Sequence, residues 1–465
     1  MSFSTLVFPF VFLPICLLLY FVVPRKVKNV VLLICSLLFF AWGSVEYLVL
    51  LLLSILFNYL TGRELGLLKQ KGRQGRGVLV SAVLVNLLLL GFFKYYGFLV
   101  ENLNALLGTS ITARELPLPI GISFFTFSLL SYLFDVYRDR APAATNLIHF
   151  ATYVTFFPKL VSGPIVQYGE MAEQLRERRV TLEGFGAGAR LFLVGLAKKV
   201  LLANTLGTTF YAVSALPLES VSTATAWLGA LSYSLMLYLD FSGYSDMAIG
   251  LAGMFGFTFK KNFDYPYVSS SLTEFWRRWH ISLGSWFRDY VYIPCGGSRA
   301  GQWKTIRNLL IVWLLTGIWH GANWTFVLWG LYHGLLLLLE KFVLRPLAEK
   351  LPGFLRHGFT LLLVVIGWVF FFSDSVGMAF GWLGRMFGGG SFLDGAAKYY
   401  WGGAWLVLLV STLASFPVCS AVGSHLLRRR RSGLVLSVLW FLLLLLLCIA
   451  SMMNDTYSTF LYFQF

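Results

Sequence analysis

Of 465 residues, 58% are hydrophobic and 12% charged, against roughly 25% charged in an ordinary soluble domain, so a bilayer is the main solvent and a soluble globular or disordered chain is excluded. The formal charge of +16 would suit nucleic acid, but the basic residues sit in short loops between apolar runs, the distribution of a polytopic membrane protein. No nucleic-acid partner is expected, and membrane lipids are.

A hydrocarbon core of about 30 Å takes roughly 20 apolar residues per helix, and such runs recur from 6–23 to 434–452. The expected fold class is all-α, a polytopic membrane protein of about 11–12 transmembrane helices with added re-entrant or interfacial helices. One membrane-embedded domain is expected over 1–465, with N-terminal helices in 1–145, a core in 146–345 and C-terminal helices in 346–465. Pro9 and Pro14 interrupt the first run and no basic residue precedes it, so it is expected to be retained rather than cleaved as a signal.

Arg25, Lys26 and Lys28 follow the first run, Arg63, Lys69, Lys71, Arg73 and Arg76 the third, and Arg138 and Arg140 the fifth. Arg176, Arg178 and Arg179 and the arginines at 428–431 continue the series, whereas 43–46, 101–115, 207–223 and 373–401 carry little excess of Lys or Arg. By the positive-inside rule both termini are expected to be extracytoplasmic. Cys16, Cys35, Cys295, Cys419 and Cys448 show no paired or metal-ligand spacing and are expected to pack as small hydrophobes.

Two regions break the helix pattern, which a membrane tolerates only where protein or a water-filled cavity satisfies the backbone. The first, 149–167, is split by Pro158-Lys159 and Gly163-Pro164 and reads as a re-entrant hairpin. After it, Gly184-Phe-Gly-Ala-Gly188 reads as a close helix contact.

The second region, 240–307, opens with Asp240 and Asp246 in an apolar stretch, where an ionisable group costs at least ~2.5 kcal/mol. They are expected to pair with backbone or an arginine at a helix end, with contact to reacting groups as the alternative. The segment 275–289 is dense in Trp and Arg, and a helical period puts Trp279, His280 and Phe287 near one side. As a bare pattern it reads as an interfacial amphipathic segment, a reading that leaves His280 unexplained. Beyond it, Thr316-Gly-Ile-Trp-His-Gly-Ala-Asn-Trp324 places His320 and Asn323 within an apolar stretch.

A lone buried histidine is more often structural, but imidazole is the side chain best suited to accept a proton near neutral pH, and here there are two. Helical phase does not bring His333 to the same site, His149 begins the broken hairpin, and His357 and His425 are expected to face solvent or headgroups. The sequence has no HExxH, phosphate loop or nucleophile elbow, and no metal is expected.

Several segments together carry a resemblance: Phe156-Phe-Pro-Lys-Leu-Val-Ser-Gly-Pro-Ile165, Asp240-Phe-Ser-Gly-Tyr-Ser-Asp-Met-Ala-Ile-Gly250, Asn262-Phe-Asp-Tyr-Pro-Tyr267, the Trp-Arg-Arg-Trp-His core of 274–297, and Gly317-Ile-Trp-His-Gly321. With the opening 3–24 and the ending 460–465 they cover nearly the whole chain. It resembles the membrane-bound O-acyltransferase family, in its bacterial alginate O-acetyltransferase-like branch. Cys295 departs from the aliphatic residue usual before Gly-Gly.

The resemblance implies that His320 and His280 are the catalytic residues. Trp279, Asn323, Trp319, Arg277 and Asp240 become candidates for substrate contact. Arg277, Arg278 and Arg288 would meet donor phosphates or, on the reading preferred, lipid headgroups. The implied reaction moves an acyl group, acetyl by this likeness, from a cytoplasmic thioester donor toward hydroxyls of an extracytoplasmic polysaccharide such as alginate or peptidoglycan. No bound cofactor is implied; an acyl thioester such as acetyl-CoA serves as co-substrate. An exported acyltransferase or esterase-like partner and a bacterial cytoplasmic membrane are implied too. The nearest alternative is D-alanyl transfer to teichoic acid from a carrier-protein thioester, against which Tyr292-Ile-Pro-Cys-Gly-Gly297 looks more like the acetyltransferase branch. A transporter or lipid flippase is the reading from another class, and the two halves of the chain lack the matching interrupted segments it would need.

Overall fold

A computed structural model describes residues 2–114, 116–299, 301–348, 350–418, 430–454 and 460. The chain divides into two compact units, one of residues 1–192 with 246–260 and the other of 193–245 with 261–461. The described residues are helical with no strand: the protein is an all-α polytopic membrane protein. Five helical stretches among them, Arg25–Gln70, Arg76–Leu107, Trp324–Leu344, Gly353–Phe372 and Val435–Asn454, are long and apolar enough to cross a membrane. The expectation of about twelve also counts runs that fall outside this group for physical reasons. Phe8–Val22 and Ile122–Tyr137 are shorter. Thr223–Met254 carries Asp240 and Asp246, and Gln302–His320 carries Lys304, Arg307 and His320.

In the first unit, the helix Ile122–Tyr137 is buried along almost its whole length. Asn58 on Leu48–Gln70 and Asn86 on Arg76–Leu107 exchange side-chain amide hydrogen bonds of 3.1 and 2.9 Å, the polar glue expected between membrane helices. Gly188 and Gly250 form a close contact in which a Cβ on either would lie 2.5 Å from the other's carbonyl oxygen. The split run 149–167 takes in seven residues of the nine-residue helix Leu147–Thr155 and the whole four-residue helix Phe157–Leu160. Nine residues rise about 14 Å, under half a hydrocarbon core, so neither helix is long enough to cross it alone. Lys159 within it is 3% exposed, donates to Ser128 Oγ at 3.0 Å and lies 4.3 Å from the Tyr153 ring centroid.

In the second unit, a helix runs from 193 to 214 through a π-turn at Lys198–Ala203, and Thr223–Met254 contributes its residues up to 245. Asp240 on the latter pairs with Lys199 at 2.6 Å, each side chain 4% exposed. The partner expected from sequence was backbone or an arginine; it is a lysine of the π-turn. Gln302–His320 and Trp324–Leu339 form a tight antiparallel pair because both are notched by glycine. A Cβ on Gly317 would lie 2.3 Å from the Phe326 carbonyl oxygen, and one on Gly330 2.4 Å from that of Trp313. The free cysteines Cys16, Cys35 and Cys448 are buried and Cys295 is half-buried. Cys419, His425, the arginines 428 and 429 and the stretch 461–465 lie outside the described residues.

Candidate active site

The segment 272–292 is two seven-residue helices, Leu272–Arg278 and Ile281–Phe287, followed by a π-turn Arg288–Tyr292. The continuous helical period expected over 275–289 is broken at His280, which sits at φ 44°. This left-handed region is sparsely used by residues other than glycine, though His is among those enriched there. The break is imposed from outside the segment: Ile281 N–H donates to the Asn262 carbonyl at 2.9 Å, and Asp264 N–H to the Arg278 carbonyl at 3.0 Å. Helical hydrogen bonding across residues 278–281 is thereby replaced by pairing with 262–264.

The first short helix is held at its N-terminal end by two side chains. Ser271 Oγ accepts from Glu274 N–H at 3.1 Å, an N-cap. Glu340, on a π-turn that extends the helix Trp324–Leu339, accepts from Leu272 N–H at 2.6 Å and Thr273 N–H at 3.0 Å. Burial pushes the Glu274 carboxyl up, but Ser270 N–H and the Arg278 guanidinium outweigh it and hold this group below its usual value. The aromatic residues point inward. Phe275, Trp279 and Trp286 are 0%, 3% and 5% exposed, which corrects the interfacial amphipathic reading: these rings pack against protein rather than headgroups.

His280 and His320, each 3% exposed, line one cavity of about 1000 Å³. Trp276, Trp279, Trp313 and Trp329 also line it, as do the basic Arg277, Arg288, Lys341, Arg345 and Arg356. Most of those cations are exposed while the histidines are buried, so the cavity combines exposed cationic lining with a buried, aromatic part.

The tautomer of each histidine follows from its partner. His320 Nδ1 lies 2.7 Å from the Thr316 carbonyl oxygen, which can only accept, so Nδ1 carries the hydrogen and Nε2 the lone pair. His280 Nδ1 lies 3.3 Å from Asn262 Oδ1 and is assigned in the same way. His280 stands between two non-spanning helices; burial first, and the neighbouring His320 second, push its imidazole well below the usual value, so it is neutral.

Of the other candidates, Trp279 and Arg277 line the cavity, whereas Trp319, Asn323 and Asp240 are not among its lining residues. Trp319 packs between the histidines, with ring centroids 6.2 Å from His280 and 4.9 Å from His320. Asn323 caps the helix Trp324–Leu339 by accepting from Thr325 N–H at 3.0 Å, and donates to the Asp374 carbonyl at 2.8 Å. Asp240 is held by Lys199. His333 is fully buried against Trp276, Trp313 and Trp329, at 4.8, 5.5 and 5.1 Å between ring centroids. His357, expected to be solvated, is half-buried with Nδ1 3.1 Å from the Ser269 carbonyl oxygen. Sequence reasoning missed Asn262, Glu340, Trp329 and the cations Lys341, Arg345 and Arg356. Only Asn262 carried a signal, its place in a quoted motif.

A family model described as MBOAT, membrane-bound O-acyltransferase family, matches residues 36–377. The chain is 41% identical to the probable alginate O-acetylase AlgI of Pseudomonas putida over 487 aligned residues, covering 100% of both chains. It is 37% identical to the peptidoglycan O-acetyltransferase of Helicobacter pylori, over 79% of this chain and 76% of that protein. A teichoic acid D-alanyltransferase of Bacillus subtilis is 29% identical over 48% of this chain and 59% of its own. A match across most of the chain, joined to near end-to-end likeness, settles membership: the chain belongs to the membrane-bound O-acyltransferase family and is a multi-pass membrane O-acyltransferase.

Proposed function

We propose that this O-acyltransferase moves an acetyl group from a cytoplasmic thioester donor such as acetyl-CoA to hydroxyls of an extracytoplasmic polysaccharide, with an exported acyltransferase or esterase-like partner completing delivery. The polysaccharide acceptor is supported by relatives whose names specify alginate and peptidoglycan. The observation that carries the reading is one cavity lined by both buried histidines and by five cations. Cations suit a donor with phosphates, and a buried imidazole suits proton transfer.

In this mechanism His320 Nε2 takes the proton of the acceptor hydroxyl as its oxygen attacks the thioester carbonyl. A C–O bond forms, the C–S bond breaks, and the same proton passes to the departing thiolate. General-base assistance of this kind is worth typically 10²–10⁴-fold. His280, with Nδ1–H engaged by Asn262, has an acceptor nitrogen at Nε2. While neutral it is suited to receive a donor amide N–H, not to stabilise an oxyanion. Trp279 and Arg277 would border the donor. The alternation of basic loops supports both termini outside, the bacterial relatives support a bacterial cytoplasmic membrane, and the donor then meets the basic side.

The test is transfer of labelled acetyl from acetyl-CoA in membranes of cells that carry only this copy, with O-acetylation of the cell's alginate or peptidoglycan as readout. Label in the polysaccharide that depends on His320 supports the reading. Turnover of a carrier-protein D-alanyl thioester instead would replace it with the teichoic-acid reaction.

A further inference from the structure

We propose that Asn262 is a positioning residue for acyl transfer: its side-chain carbonyl holds Nδ1–H of His280 and so fixes the tautomer and aim of that imidazole. The inference rests on the reading of His280 as part of the acyl-transfer machinery. It concerns a residue that touches no part of the cavity itself.

Asn262 is 1% exposed, and its amide orientation is determined by its neighbours. Ser282 N–H, which can only donate, lies 3.0 Å from Oδ1, and Ser282 Oγ lies 2.9 Å from the same atom. Nδ2 donates to Ser245 Oγ at 3.0 Å. The atom 3.3 Å from His280 Nδ1 is therefore oxygen, and the hydrogen between them belongs to the imidazole. A partner that fixes the second nitrogen of a histidine sets which nitrogen is available for chemistry.

The turn that carries His280 has separate support. Its backbone bonds, Ile281 N–H to the Asn262 carbonyl and Asp264 N–H to the Arg278 carbonyl, use main-chain atoms alone. A side-chain substitution at 262 leaves those atoms in place and removes the clamp on the imidazole. Asn262 Oδ1 also accepts from Ser282 N–H and Oγ, so its side chain supports the turn as well as the imidazole, and a purely structural loss would show in the thermal midpoint rather than in kcat at matched protein amount.

The experiment compares Asn262→Ala, Asn262→Asp and His280→Ala in cells carrying only the variant copy, with acetyl-CoA turnover measured in their membranes. Rates are normalised to protein amount, and the thermal midpoint of each variant is recorded. N262A is expected to lower kcat on the order of 10- to 100-fold, the range seen when the outer partner of a metal-bound histidine is removed, and to raise the KM for acetyl-CoA in the same direction as H280A. N262D keeps an acceptor for Nδ1–H and is expected to restore most of the wild-type kcat, although a buried carboxylate is the harsher change for the fold. If N262A does not accumulate, Asn262→Leu, which keeps volume without an acceptor, takes its place. N262D no better than N262A at equal abundance, or wild-type kcat in N262A, overturns the positioning role. An active H280A removes the reading beneath it; an inactive H280A beside a fully active N262A overturns this inference alone.

Discussion

Lys199 and Asp240 form an ion pair of 2.6 Å between two helices, with both side chains 4% exposed. The pair is further enclosed by Phe460, whose ring centroid lies 4.7 Å from Lys199 Nζ. Two charges removed from water are tolerated because each neutralises the other, and removing one leaves the second stranded at a cost of about 3–5 kcal/mol. Asp240→Asn and Lys199→Met are each expected to lower the detergent thermal midpoint and the amount of protein in membranes. The double variant Lys199→Met/Asp240→Leu is expected to recover much of that loss, since apolar replacement of a buried pair is often neutral. An Asp240→Asn protein of normal stability and no activity would instead place Asp240 in the chemistry.

Glycine at 317 has a comparable test with a different cause. A Cβ there meets the Phe326 carbonyl oxygen at 2.3 Å and the Gly330 Cα at 3.2 Å, backbone atoms that cannot rotate away. Gly317→Ala is expected to force apart Gln302–His320 and Trp324–Leu339, costing about 1–3 kcal/mol as overpacking does. It should lower acyl transfer further by shifting His320, one turn on. Gly91→Ala and Gly402→Ala, where a Cβ would meet nothing within 4 Å, are the controls and should accumulate at least as well as wild type. Normal activity in Gly317→Ala would show that the helix pair has slack which this packing denies.

The contrast between these sites marks what the sequence makes legible. Membrane class, helix content and the nomination of His280 and His320 follow from composition, from ionisable groups at apolar positions and from motif likeness. The break at His280 does not, because Trp-Arg-Arg-Trp-His-Ile-Ser-Leu satisfies a continuous helical period and is overridden by Asn262 and Asp264, which reach it through tertiary pairing. Lys199 as partner of Asp240 was equally hidden, since periodicity says which residues share a face but not which helices meet. Lys341, Arg345 and Arg356 carried no signal in the sequence, and only the fold gathers them at the cavity.

Topology is open to direct measurement. Basic loops alternate with loops poor in Lys and Arg, from which the positive-inside rule predicts Gln74 and Arg429 in the cytoplasm and Gly108 and Thr456 outside; Arg429 and Thr456 lie beyond the described residues. An impermeant thiol reagent applied to intact cells should label engineered cysteines at 108 and 456. Those at 74 and 429 should react only after the cells are opened. Labelling at 74 from outside would reverse the orientation and move the donor to the other face of the membrane.

The two histidines carry the functional claim. Because the Thr316 carbonyl fixes the hydrogen of His320 on Nδ1, the lone pair is on Nε2, the nitrogen a general base needs. His320→Ala is expected to abolish acetyl transfer while the protein still inserts and accumulates, with a lowered thermal midpoint because the ring's contacts to Trp319, Trp329 and Phe371 are lost. His320→Gln isolates the proton: a glutamine amide can form hydrogen bonds but cannot accept a proton near neutral pH, so it too should be inactive. His280→Ala should lower turnover with a larger effect on the KM for acetyl-CoA than His320→Gln shows, if His280 meets the donor first. His425→Ala, outside the described residues and beside basic loop positions, is the control and should match wild type. All four are compared by transfer of labelled acetyl in membranes at matched protein amount. Activity near wild type in His320→Ala would end the proposed mechanism and return His320 to a packed structural imidazole among Trp329 and Phe371, whose ring centroids lie 4.9 and 5.3 Å away.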